Sequence, residues 1–123
     1  MKGWPRLPSP EFAIDPDHGP RSNRFNDGYA SPAGAAAETE LVFLGGIGAP
    51  DIWRDRQDIV IGETGFGLGL NLLMTWAVWR QTAPPAARLH YVSVEGYPLD
   101  RAALTRALDF YRNVPGLAPL IEM

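Results

Sequence analysis

Two glutamates and three alternating glycines are the residues best suited to chemistry in this sequence. Glu63 opens Glu63-Thr64-Gly65-Phe66-Gly67-Leu68-Gly69, and Glu95 closes a second apolar run further along. Glycines at every second position let backbone N–H groups approach a ligand closely and permit φ > 0 where a tight turn needs it. A tight turn between two packed elements would use the same glycines, so the flanking residues decide. A carboxylate such as Glu95 can accept two hydrogen bonds from a ribose diol. NAD, FAD and S-adenosylmethionine all carry that diol, so Glu95 alone does not choose among them. The spacing does more. The third glycine comes one place too early for the dinucleotide pattern GxGxxG. An acid ahead of the glycines repels a pyrophosphate but suits a ligand with ammonium and sulfonium groups. The pattern therefore favours S-adenosylmethionine.

Those residues need a scaffold that brings them together. Ile59-Val60-Ile61 reads as a buried strand running into the glycine loop, and Leu72 to Arg80 as the helix that leaves it. Thr82-Ala83-Pro84-Pro85 stops that helix, because proline cannot continue the hydrogen-bond ladder. Leu89 to Glu95 is a second strand, β-branched and aromatic. Strand, helix and strand of this length make a crossover with the two strands parallel, which places Glu63–Gly69 beside Glu95 at the carboxyl ends. Asp100 or its neighbours cap a further helix, with Leu104, Ala107, Leu108 and Tyr111 on one face, ended by Asn113-Val114-Pro115-Gly116.

Upstream, residues 1–34 are rich in Pro, Gly, Ser and Asp without a sustained period, and read as an extended arm. Within it, Phe25 to Ser31 combines aromatic and acidic groups. That cluster is either an arm pinned to the domain or a lid over the ligand, with Asp27 and Tyr29 supplying polar contacts. Residues 35–44 read as a helix stopped by Gly45-Gly46, with Val42-Phe43-Leu44 as a short strand in the alternative. Two parallel strands are too few for an open α/β sheet, which buries its centre only with several strands and both faces covered. Residues 35–123 thus read as the N-terminal portion of a larger Rossmann-like domain.

Composition sets the limits. A length of 123 residues allows one domain at most, and 46% apolar residues with four tryptophans support a packed core. The net charge of −3 gives no blanket attraction to nucleic acid or anionic lipid. The absence of cysteine excludes disulfides and thiol catalysis, as expected of a cytoplasmic protein. No stretch has membrane-spanning length. His18 and His90 are too far apart in context for a metal pair, so no metal is expected. Trp76 and Trp79 are read as core residues, and Arg101, Arg106, Asp100 and Asp109 as a solvated helix face.

Four segments now carry a resemblance: Phe25-Asn26-Asp27-Gly28-Tyr29-Ala30-Ser31; Glu38 to Gly46; Glu63 to Leu73; and Ser93-Val94-Glu95-Gly96-Tyr97-Pro98-Leu99. In order and spacing the chain resembles the MnmC-like methyltransferase domain from about Gly19 to Leu108. The resemblance implies a class I, Rossmann-like, S-adenosylmethionine-dependent methyltransferase fold, of which only the N-terminal part of the parallel sheet is present. It implies methylation of the 5-aminomethyl group of wobble 2-thiouridine in tRNA. It also implies, as a partner, a fused or separate FAD-dependent oxidoreductase that acts on the same nucleotide. By matching motif, Glu63, Gly65, Phe66, Gly67 and Gly69 would form the cofactor loop. Asn71 would stand at the helix start, Glu95 would hold the ribose, and Asp27, Tyr29 and Glu38 would lie near the cofactor. The chain departs from the family pattern at Asn26 (usually an acid), Ile47 (asparagine), Leu68 (threonine) and Gly96 (a lysine-like residue).

Methyl transfer to an amine is an in-line displacement, so the amine must be neutral and aligned. In the family that part of the pocket is associated with a later Asp-Gly-Phe-Ala-Pro segment, which this sequence does not contain. No catalytic residue is therefore assigned. Two other readings stand beside the methyltransferase: an oxidoreductase or dinucleotide-binding module, and a non-catalytic module that binds an adenosyl ligand.

Overall fold

The computed structural model describes residue 3 and residues 12–15, 19–22, 27–28 and 39–123. Strands β1 (Phe12–Asp15), β2 (Gly19–Ser22) and β3 (Asp27–Gly28) form a small antiparallel sheet in the order β1-β2-β3. Ile14 pairs with Pro20, whose side chain is fully buried. β3 reaches only Arg21 and Ser22, so Pro20 lies outside the three-stranded part, where its missing N–H breaks no second ladder. Composition alone did not disclose this pairing, because short hairpin strands leave too few positions to show a period.

A π-helical segment, Thr39–Leu44, runs directly into α-helical Gly45–Ile47; together they are α1. One sequence expectation changes here: Gly45-Gly46 does not stop the helix but lies inside it. Val42-Phe43-Leu44 is helical, as the main reading had it, and the strand alternative falls away; residues 35–38 lie outside the described residues. The stop is Gly48, in the left-handed region at φ 78°, with its N–H donating to the Gly45 carbonyl. A helix ends where a residue can turn left-handed, and this third glycine is the one that does so. A 3₁₀ turn, Asp51–Trp53, follows.

The central unit comes next: β4 (Asp58–Thr64), α2 (Leu70–Thr82) and β5 (Arg88–Val94). β4 and β5 pair in parallel, from Asp58 opposite Arg88 to Thr64 opposite Val94. Glu63 is therefore a strand residue, and Glu95 stands one position beyond its strand. Past the turn at Gly96–Leu99 comes α3 (Arg101–Asp109), capped by Asp100, whose Oδ1 accepts the Ala103 N–H at 2.8 Å. A short α4 (Ala118–Ile121) completes the chain. Its four residues are too few for periodicity to announce.

The core has two parts, joined by α2. On one side Leu70 and Leu73 pack with Leu99, Ala103, Ala107, Tyr111, Val114, Leu117 and Leu120. On the other, Trp79 joins Leu44, Trp53, Ile59 and Ile61 beneath the sheet. Trp53 and Trp79 meet edge to face at 5.3 Å, and Trp53 Nε1 donates to Thr82 Oγ1 at 2.9 Å. This explains why α2 is apolar nearly all round: it is packed on both flanks. Along β4 burial alternates, with Ile59 and Ile61 inside and Val60 outside. Val92 and Val94 of β5 are exposed as well. The α/β architecture with a small parallel sheet is compatible with a Rossmann-like fold.

Candidate functional site

Three successive left-handed glycines shape the loop between β4 and α2. Gly65, Gly67 and Gly69 have φ values of 82°, 56° and 79°, conformations that residues with a Cβ adopt at a cost. The alternating spacing in the sequence is thus a backbone requirement. The loop leaves the sheet with the Gly65 N–H donating to the Val94 carbonyl at 2.7 Å, and closes with the Gly69 N–H on the Phe66 carbonyl at 2.9 Å. Leu68, between the last two glycines, is buried and belongs to the core.

The three glycines serve different ends. A Cβ built at Gly65 would meet nothing within 4 Å among the described residues. A Cβ at Gly69 would lie 2.7 Å from Phe66 Cζ. Gly69 therefore makes room for the Phe66 ring, which folds back over the start of α2. Gly67 presents its N–H to Glu95.

Glu95 lies against the loop. Its Oε2 accepts the Gly67 N–H at 2.9 Å and its Oε1 accepts the Tyr97 N–H at 2.9 Å. A carboxylate has about four lone-pair sites, so each oxygen keeps capacity for a hydroxyl donor. Glu63 lies on the helix-covered side of the sheet. Ser93 Oγ donates to its Oε1 at 2.9 Å, and Asn71 Nδ2 donates to its Oε2 at 3.2 Å. Tyr91, two residues from Ser93 on the same strand face, has a buried hydroxyl with no hydrogen-bond partner among the described residues. Burial first, and then the nearby Glu63 carboxylate, push the Tyr91 pKa above the usual phenol value, so this hydroxyl stays protonated.

The structure thus brings Glu63, Gly65, Phe66, Gly67, Gly69, Asn71 and Glu95 together at the carboxyl ends of two parallel strands. Asp27 lies in β3, and only its backbone is described; Tyr29 and Glu38 lie outside the described residues. Sequence reasoning assigned no role to Ser93 or Tyr91. The signal was available in the alternation of a strand whose last inward positions are polar. Chemically, the site offers two carboxylates and a left-handed glycine loop. Carboxylate oxygens accept from hydroxyl and ammonium groups alike, so this acceptor set fits a ligand that carries both.

No family model matches the chain. Curated relatives do, among them proteins named "tRNA 5-methylaminomethyl-2-thiouridine biosynthesis bifunctional protein MnmC". The protein from Magnetococcus marinus is 52% identical over 107 residues, 86% of this chain and 16% of its own length. That from Cupriavidus metallidurans is 43% identical over 112 residues, 91% of this chain and 16% of its own. That from Caulobacter vibrioides is 43% identical over 117 residues, 95% of this chain and 20% of its own. With identities of 43–52% over most of its length, the chain matches an MnmC-like segment that spans 16–20% of these relatives.

Proposed function

We propose that this chain is the adenosyl-binding part of an S-adenosylmethionine-dependent methyltransferase that modifies wobble uridine in tRNA, with the 5-aminomethyl group of 2-thiouridine as acceptor. The observation that carries the reading is the pair of carboxylates flanking the left-handed glycine loop, Glu63 beneath it and Glu95 against it. The relatives' name supports the tRNA nucleotide as substrate.

When bound, S-adenosylmethionine supplies an electrophilic methyl group on a sulfonium. Gly65 leaves space where any side chain would intrude on the ligand. Glu95 takes the ribose hydroxyls through the lone pairs that the Gly67 and Tyr97 amides leave free, and those amides hold the carboxylate in place. Glu63 supplies the negative charge that favours a cationic tail and disfavours a pyrophosphate. All of this is binding and orientation, which in an in-line displacement accounts for much of the rate.

Calorimetric titration of the chain with S-adenosylhomocysteine, NADH and FAD tests the reading. S-adenosylhomocysteine should bind, and Glu95→Ala should weaken it by roughly tenfold or more, the scale of losing hydrogen bonds to a charged acceptor. Binding of NADH or FAD with no response to S-adenosylhomocysteine would overturn it. The word "bifunctional" in the relatives' name is in keeping with a second reading, the FAD-dependent oxidoreductase at the same nucleotide that the family resemblance implies. The FAD titration separates the two.

A further inference from the structure

Glu63 is gripped at both carboxylate oxygens, by two different elements. Ser93, its register partner on β5, donates to Oε1, and Asn71, in the first turn of α2, donates to Oε2. Both donors are neutral. Among the described residues no Lys, Arg or His forms an ion pair with Glu63. A glutamate whose purpose was to stabilise the fold would gain more from a cationic partner than from a hydroxyl and an amide. The arrangement fixes the side chain while leaving its charge unneutralised, and two of its roughly four lone-pair sites stay unused by Ser93 and Asn71. The neighbouring Tyr91 hydroxyl is buried and uncharged, so it does not neutralise that charge either.

We infer that Ser93 is a positioning residue: together with Asn71 it holds the Glu63 carboxylate so that its charge meets the ammonium group at the amino-acid end of the ligand. This rests on the adenosyl-ligand reading above. Ser93 itself touches no ligand. It acts through Glu63, across the register of the parallel pair, and Ser93→Thr keeps the hydroxyl on a strand that accepts β-branched residues well. The consequence is a division of labour between the acids: Glu95 reads the sugar, and Glu63 with its two holders reads the charged tail.

Two ligands that differ only in the tail test this. S-adenosylhomocysteine carries the amino-acid end, and 5′-methylthioadenosine keeps the nucleoside and sulfur without it. In titrations of the full chain, Ser93→Ala should weaken S-adenosylhomocysteine by about tenfold, the scale of a hydrogen bond to a charged group. The same variant should leave 5′-methylthioadenosine within about twofold of the wild-type value, and Ser93→Thr should restore S-adenosylhomocysteine binding. Asn71→Ala, acting on the other oxygen, should show the same selective loss and serves if Ser93→Ala does not fold. Equal weakening of both ligands, or no weakening of either, overturns the positioning role while the adenosyl reading stands. A wild-type chain that binds neither ligand overturns the adenosyl reading, and the positioning role with it.

Discussion

Glu63 and Glu95 look equivalent in the sequence, as acids at two strand ends, yet their surroundings differ. Among the described residues Glu95 accepts backbone N–H groups, from Gly67 and Tyr97, while Glu63 accepts side-chain donors, from Ser93 and Asn71. Loop backbone is hard to change by mutation, so Glu95 is anchored whatever its neighbours are; Glu63 depends on two particular residues. Tyr91 completes this corner. Its buried hydroxyl lacks a partner among the described residues, and an unsatisfied hydroxyl is a cost rather than a gain. Tyr91→Phe should therefore be neutral at pH 7, or stabilising by up to about 1 kcal/mol. The pH dependence has a definite sign. The folded-state pKa lies above the ordinary phenol value of about 10, so the neutral phenol's contribution is intact below that value and is lost as pH rises beyond it. Chemical denaturation at pH 7 and above pH 10 should show the wild type losing more stability than Tyr91→Phe on the alkaline side. A variant clearly destabilised at pH 7 would mean that the hydroxyl has a partner after all.

At the scale of elements, the junction between β4 and α2 is where sequence and shape agree most tightly. Alternating glycines mark alternating left-handed residues, and the last of them also gives way to the Phe66 ring. Gly69→Ala meets both difficulties, a Cβ at φ 79° and a 2.7 Å approach to Phe66 Cζ. Left-handed strain costs about 1–2 kcal/mol, and displacing the ring adds to it, so a loss of about 2–3 kcal/mol in denaturant titrations is expected. Adding Phe66→Ala should recover the steric part and leave the strain, so the double-mutant cycle should be less than additive. Strict additivity would show that the ring never opposed the new methyl group. Elsewhere the legibility of elements was uneven. Asp100 announced α3 because a capping side chain acts within three residues of itself. Gly45-Gly46 misled because a glycine permits a helix stop without compelling one, and the left-handed turn fell to Gly48.

As a whole, the described molecule covers one face of its parallel pair and leaves the other open. Val60, Val92 and Val94 are 68%, 57% and 65% exposed. A groove of about 440 Å³ runs along β4 from Asp58 to Gly62, walled by Ile47, Ile52 and Arg56. Parallel pairs are ordinarily buried on both faces, and exposed apolar strands invite pairing with other chains. The chain spans only 16–20% of the relatives it matches. In solution this chain should self-associate with rising concentration, as sedimentation velocity would show. Val92→Lys should shift it towards monomer without altering its far-ultraviolet spectrum. A wild-type chain that stays monomeric and melts sharply and reversibly would refute this.

By itself the sequence determined the order strand, glycine loop, helix, strand, the glycines that permit a left-handed loop, the helix cap at Asp100, and the nearness of that loop to Glu95. Each follows from backbone rules that act over a few residues, or from the requirement that a helix-linked strand pair run parallel. Only the tertiary structure decided which donors hold which acid. Ser93 reaches Glu63 because register sets those two residues opposite each other and the pleat turns both side chains to the helix-covered face. Register is fixed by packing across about thirty residues of intervening chain, where no local rule reaches.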